Sequence, residues 1–168
     1  ATEPAFVAQP NPPALPPENP AVKRITVTVP AATKATRFAL FNGDYPAGTD
    51  LDLYVYRGVT LVGASAGGSS DESVTFPAGG GTFEVYVVQF ATAPNVTEQD
   101  VKVHKYMVGP TPAGNMSVTP GSRAVAVGQQ VQYTLSWSGL AAGTRYLGLV
   151  EWGDGTAARG STLVSVST

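Results

Sequence analysis

The sequence predicts an all-β protein of the β-sandwich kind, and three observations carry that prediction. The 168 residues include 22 valines and 18 threonines, whose branching at Cβ favours extended backbone. Nineteen glycines and 14 prolines supply turn residues. Apolar and polar side chains alternate in short runs at roughly 8–15-residue spacing, the sequence form of a sandwich.

Seven of the prolines fall in residues 1–20. Proline lacks an amide donor and pushes its predecessor into extended geometry, so residues 1–21 read as a proline-rich linker or docking segment. From Val22 the texture becomes alternation. Ile25, Val27 and Val29 point one way and Thr26 and Thr28 the other, which predicts a half-buried strand. Phe38 and Leu40 predict a second strand. Leu51, Leu53 and Val55 against Asp52, Tyr54 and Tyr56 predict a third. Shorter strands are expected over 60–64 and 72–76, then a run in which Phe83, Val85 and Val87 alternate with Glu84, Tyr86 and Val88. Val101 and Val103 alternate with Lys102 and His104 in the last. Asn42-Gly43-Asp44, Arg57-Gly58, Ala66-Gly67-Gly68 and Pro77-Ala78-Gly79-Gly80-Gly81 mark turns between them.

Residues 109–114, Gly-Pro-Thr-Pro-Ala-Gly, form a joint between a domain over 22–108 and a smaller one over 115–168. The second domain is expected to have strands over 116–119 and 124–127, then one through Val131, Tyr133, Leu135 and Trp137. Residues 145–152 are apolar on both faces, which predicts a central strand. Asp154-Gly155 signals a hairpin before a last strand over 162–167. Trp137 and Trp152 read as core anchors. So small a domain has a thin core, so it is expected to lean on the first or to borrow residues 5–8 as an extra strand.

Charged residues make up 13% of the chain and the formal net charge is −2, against roughly 25% charged in an average soluble domain. That balance offers no electrostatic case for nucleic acid or an anionic membrane as partner. No apolar run is long enough to span a bilayer as a helix. With no cysteine, disulfides, thiolate metal sites and cysteine nucleophiles are excluded. The start at alanine, without a basic-then-apolar leader, is what a mature or excised piece would show.

Thr49-Asp50-Leu51-Asp52-Leu53-Tyr54-Val55-Tyr56, then Leu61-Val62-Gly63-Ala64-Ser65, Asp71-Glu72-Ser73-Val74-Thr75, Pro77-Ala78-Gly79 and Gly81-Thr82-Phe83-Glu84-Val85-Tyr86-Val87 resemble the bacterial pre-peptidase C-terminal domain. That resemblance implies a jelly-roll-like β-sandwich appended to secreted proteases. Gly139-Leu140-Ala141-Ala142-Gly143-Thr144-Arg145-Tyr146-Leu147-Gly148 and Trp152-Gly153-Asp154-Gly155-Thr156 are similar to the later half of the fibronectin type III-like domain, of immunoglobulin-like architecture, that ends many subtilisin-like serine proteases. The two likenesses span residues 22–168 in the order such proteases carry them. They imply a non-catalytic accessory region of a secreted, extracellular subtilisin-like serine protease. Its work would be substrate or surface binding, secretion or stabilisation, and its partners the catalytic domain of the parent chain and an extracellular protein or polysaccharide polymer. The alternative is an independent adhesion or carbohydrate-binding module.

Catalysis of the subtilisin kind needs a serine, a histidine and an orienting aspartate. The Gly-Thr-Ser-Met-Ala nucleophile motif is missing, and the lone histidine, His104, is placed on the polar face of a strand, facing solvent. No catalytic residue is therefore expected. Two sets of side chains are candidate sites. Asp50 and Asp52 share a strand face and Asp44 sits in the loop before them, an arrangement able to give calcium several of the six to eight oxygens it takes. The plain alternative is that Asp50 caps the turn and Asp52 faces solvent; apart from calcium no cofactor is expected. Tyr54, Tyr56 and Tyr86 project opposite the predicted core face, where a flat aromatic stripe would stack on sugar rings or a polymer chain, unless that face is covered.

Overall fold

The first half of the chain folds because its alternating strands each have one apolar face to bury. The computed structural model describes residues 15–77 and 79–168 and is all-β, with 49% strand and 2% helix. The chain divides into two compact units, Ala1–Met107 and Val108–Thr168.

In the first unit, β1 (Val22–Val29), β2 (Ala35–Ala39), β3 (Asp50–Arg57), β4 (Thr60–Ser65), β5 (Ser73–Pro77), β6 (Gly81–Ala91) and β7 (His104–Val108) follow one another, with a 3-10 turn at Asn42–Asp44. They form a four-stranded sheet in the order β1-β6-β3-β4 and a three-stranded sheet in the order β5-β2-β7. The long β6 pairs antiparallel with β1 through Val27 and Phe83 and with β3 through Leu53 and Val87 and through Val55 and Val85. One core joins the apolar faces of both sheets: Val27, Val29, Leu51, Leu53, Val55, Phe83, Val85 and Val87 from one, Phe38, Val74 and Phe76 from the other. Phe76 bridges Phe38 and Phe83, with ring centroids 6.0 and 4.8 Å away. Burying one such side chain contributes about 1.5–3 kcal/mol.

The described residues just before β1 are tied to the first unit. Pro16 is buried, and Gln89 N donates to Ala21 O at 2.8 Å, which extends the β1–β6 ladder. The docking of residues 5–8 lies outside the described residues. The last strand also sits later than expected. Val101 and Val103 pack on the core, but β7 begins only at His104.

The second unit contains β8 (Met116–Thr119), β9 (Thr134–Trp137), β10 (Arg145–Gly153) and β11 (Ala158–Ser167). Among the described residues they form two separate two-stranded sheets, β8-β9 and β10-β11. Residues 124–127 are exposed and form no strand, because an apolar alternation without a partner ladder leaves its amides to water. Among the described residues β10 pairs only with β11 and buries Val150 alone, so there the strand expected to be central over 145–152 has a partner on one side. The hairpin at Asp154-Gly155 is present, with Asp154 Oδ1 accepting from the amides of Thr156 and Ala157, both at 2.9 Å, and Gly155 at φ +89°. Trp137 is 49% exposed and so anchors no core. Trp152 stacks on Tyr133 at 4.1 Å.

Both tryptophans lie in the second unit, so their fluorescence reports on that unit, whereas far-UV circular dichroism is dominated by the larger first one. With one buried apolar side chain against nineteen among the described residues, the second unit is expected to lose its structure first. In a urea titration the tryptophan transition should have the lower midpoint. Coincident midpoints would show that the two units unfold as one.

Candidate functional site

The entry to β3 gathers the polar chemistry of the first unit. Along β3 the odd-numbered Leu51, Leu53 and Val55 face the shared core, so Asp50, Asp52, Tyr54 and Tyr56 occupy the opposite face. That face is also buried: Asp50, Asp52, Tyr54 and Tyr56 are 9%, 2%, 5% and 0% exposed. The expectation of a solvent-facing Asp52 is therefore corrected. So is the aromatic stripe. Tyr54, Tyr56 and Tyr86 form a second apolar cluster with Val22, Leu61 and Val88, and Tyr56 meets Tyr86 edge to face at 5.5 Å. Rings buried to this extent offer no face to a polymer.

Two loops frame the acidic end of this face. Asn42 Oδ1 accepts from Ser70 N at 2.7 Å, while Asn42 N and Nδ2 donate to the Asp71 carboxylate at 2.8 and 2.9 Å. Ser70 Oγ accepts from Leu51 N at 3.1 Å and donates to Thr49 O at 3.0 Å. These bonds stitch the 42–49 loop, the 67–71 loop and the start of β3 into one framework. Glu72, 5% exposed, is held by Ser65 Oγ and Gly67 N.

Three carboxylates are thus buried near one another, and the titration of Asp50 and of Asp52 reflects it. Burial, and then Glu72, raise Asp50 above the usual carboxylate range. Burial, then Asp50 and Glu72, raise Asp52 to about 6. Desolvation disfavours the charged form and like neighbours add to the effect. Two oxygens in this region, Thr49 Oγ1 and Asp50 Oδ1, are buried without a hydrogen-bond partner.

Asp44 stands apart from this group. Its carboxylate accepts from Lys102 Nζ at 2.8 Å and pairs with His104 Nε2 at 2.7 Å. The Lys102 hydrogen bond leads in lowering its pKa, with His104 adding to the effect. His104 is not the solvent-facing residue expected; it is half-buried, with Phe41 edge-on at 4.9 Å. The calcium trio therefore splits, Asp44 committed to two basic side chains and Asp50 and Asp52 grouped with Glu72. Among the described residues no set of three or more His, Cys, Asp or Glu side chains is placed to hold a metal ion.

Sequence reasoning missed Thr49, Ser70 and Glu72. A signal for Glu72 was present, since it shares parity with Val74 and Phe76 and so points inward with them. Thr49 and Ser70 carried no such signal, because their burial comes from loops meeting across 21 residues of sequence.

Comparison with protein-family models, curated proteins and solved structures finds no match for this chain.

Proposed function

We propose that the chain is a non-catalytic accessory region of a secreted subtilisin-like serine protease, serving to hold substrate or surface, to aid secretion or to stabilise the catalytic domain. The observation that carries this reading is the succession of motifs. The run from Thr49 to Tyr56 and the run from Gly81 to Val87, which resemble a pre-peptidase C-terminal domain, are followed by the Gly139–Gly148 and Trp152–Thr156 runs of a fibronectin type III-like half domain. Those runs fall largely on β3, β6 and the β10–β11 hairpin of an all-β chain, which supports the reading. The partners it implies are the catalytic domain of the same parent chain and an extracellular polymer.

The reading frame of the parent gene tests it. A preceding domain with the aspartate, histidine and serine motifs of a subtilisin-like protease is the expected result. A glycoside hydrolase or a surface anchor in that place would overturn the reading.

A second reading, an adhesion or carbohydrate-binding module, is favoured by one observation in the second unit. Trp137 is 49% exposed, and an exposed aromatic ring can stack on a sugar. If this reading holds, Trp137→Ala should release the protein from an insoluble polysaccharide such as cellulose or chitin that retains the wild type. Equal retention of both proteins would remove Trp137 from any such role.

A further inference from the structure

One edge of β10 is taken by β11, and among the described residues its other edge has no neighbouring strand. Thr168 N donates to Thr144 O at 3.2 Å, in line with the β10–β11 register. The even-numbered residues of β10 therefore turn their main-chain groups toward β11, and Arg145, Leu147, Leu149 and Glu151 turn theirs to the open edge. Such an edge is a template for a further strand, which native proteins commonly blunt with proline or a bulge. Over residues 145–151 β10 has no proline, and its register against β11 shifts only beyond them, at Trp152 and Gly153. A two-stranded ribbon is also marginal by itself in water.

The charges on this edge narrow what fits it. Arg145 and Glu151 are the charged residues of β10, and both are exposed. They stand at equal distance on either side of Gly148, so the strand that answers their pattern is β10 itself, running the other way. Turned antiparallel about Gly148, a second β10 sets Glu151 opposite Arg145 at both ends and Leu149 opposite Leu147 between them. On the other face Tyr146 meets Val150, and Gly148 meets its own copy. An in-register parallel pair would instead set like charges side by side, which opposes pairing. A guanidinium has five donors and a carboxylate about four acceptor positions, so each residue can take this contact beside those within its own chain. The outer edge of β11 has no such match, because Arg159 is its one charged residue and Asp154 holds it at 2.7 Å.

We propose that this edge binds a second copy of the chain, by antiparallel β10–β10 pairing about a two-fold axis at Gly148. Such an interface is self-complementary, as a two-fold dimer requires, and it converts two ribbons into one four-stranded sheet in the order β11-β10-β10-β11. A single pair of strands buries little surface, so the association is of the weak class. The inference goes beyond the accessory-region reading and does not rest on it.

The test is sedimentation equilibrium of the full chain, in a concentration series up to the millimolar range. Wild type is expected to pass from monomer to dimer. Arg145→Glu and Glu151→Arg, each shown to be folded by tryptophan fluorescence and circular dichroism, set like charges opposite at both ends. Each should weaken dimerisation by roughly tenfold or more. An equimolar mixture of the two variants restores opposite charges at both ends and should regain dimers, as should the double variant alone. In wild type the amides of Leu147 and Leu149 should exchange with deuterium more slowly as dimer forms. A wild type that stays monomeric, a reversal that leaves dimerisation unchanged, a mixture no more dimeric than its components, or no slowing at Leu147 and Leu149 would each overturn the proposal. If a single variant does not fold, the double variant and the wild-type exchange still decide it.

Discussion

The protein is expected to unfold at a higher temperature near pH 5 than near pH 8, and Asp52→Asn to remove much of that difference. Asp52 is 2% exposed, and its pKa is raised from 3.8 to about 6, first by burial and then by Asp50 and Glu72. A carboxyl whose folded pKa lies above its unfolded one favours folding in its protonated form. The stability it lends is complete below the unfolded value, near 4, and is lost as the pH rises through about 6. Near pH 8 the charge stays buried beside two other acids. Relieving it should stabilise the asparagine variant by about 1–3 kcal/mol there and by little near pH 4.

Asp44 and Glu84 work in the opposite sense. Lys102 and Arg24 lower their pKa values, so the stability they lend is lost only on acidification below the usual carboxylate range. The comparison therefore rests on wild type against variant, followed as melting temperature from pH 5 to 8. Parallel curves for the two proteins would show that Asp52 is not the group responsible.

Gly80→Ala should destabilise the first unit by about 1–3 kcal/mol, whereas Gly68→Ala should change its stability by less than about 0.5 kcal/mol. A Cβ at Gly80 would meet the Ala31 Cα at 2.4 Å and the Ala31 N at 2.6 Å. Both are backbone atoms, so no rotamer change can make room. Nothing lies within 4 Å of a Cβ at Gly68. The chain between β1 and β2 thus runs against the β5–β6 turn so closely that only hydrogen fits. Urea denaturation of the two variants measures the contrast, and equal midpoints would show that the contact yields.

Much of the first unit was legible in the sequence because its information is local. The alternation from Ile25 to Val29, from Leu51 to Val55 and from Phe83 to Val87 states both the strand and its inward face, since consecutive side chains of a strand must point to opposite sides. Turn residues such as Asn42-Gly43-Asp44 and Asp154-Gly155 state where the strands end. The second unit was less legible. Residues 124–127 have the pattern of a strand and no ladder to join, and pattern alone does not supply a partner.

The candidate site was the least legible part. Asp50, Asp52, Tyr54 and Tyr56 were placed correctly on the face away from the core, but whether that face meets water is decided by what covers it. Burial turned a presumed binding stripe into packing, and turned a presumed solvent-facing aspartate into a carboxyl with a pKa near 6. Asp44 lies six residues from Asp50 in the chain, yet its partners, Lys102 and His104, come from about sixty residues away.

The sequence by itself determined the all-β class, the strand faces and the absence of thiol chemistry, because each follows from side-chain type and the two-residue period of extended backbone. Only the tertiary structure decided which polar groups lose their water, which glycine admits no Cβ, and which acids share a site. Those properties depend on segments far apart in the chain being brought within a few ångströms, where desolvation and close contact act.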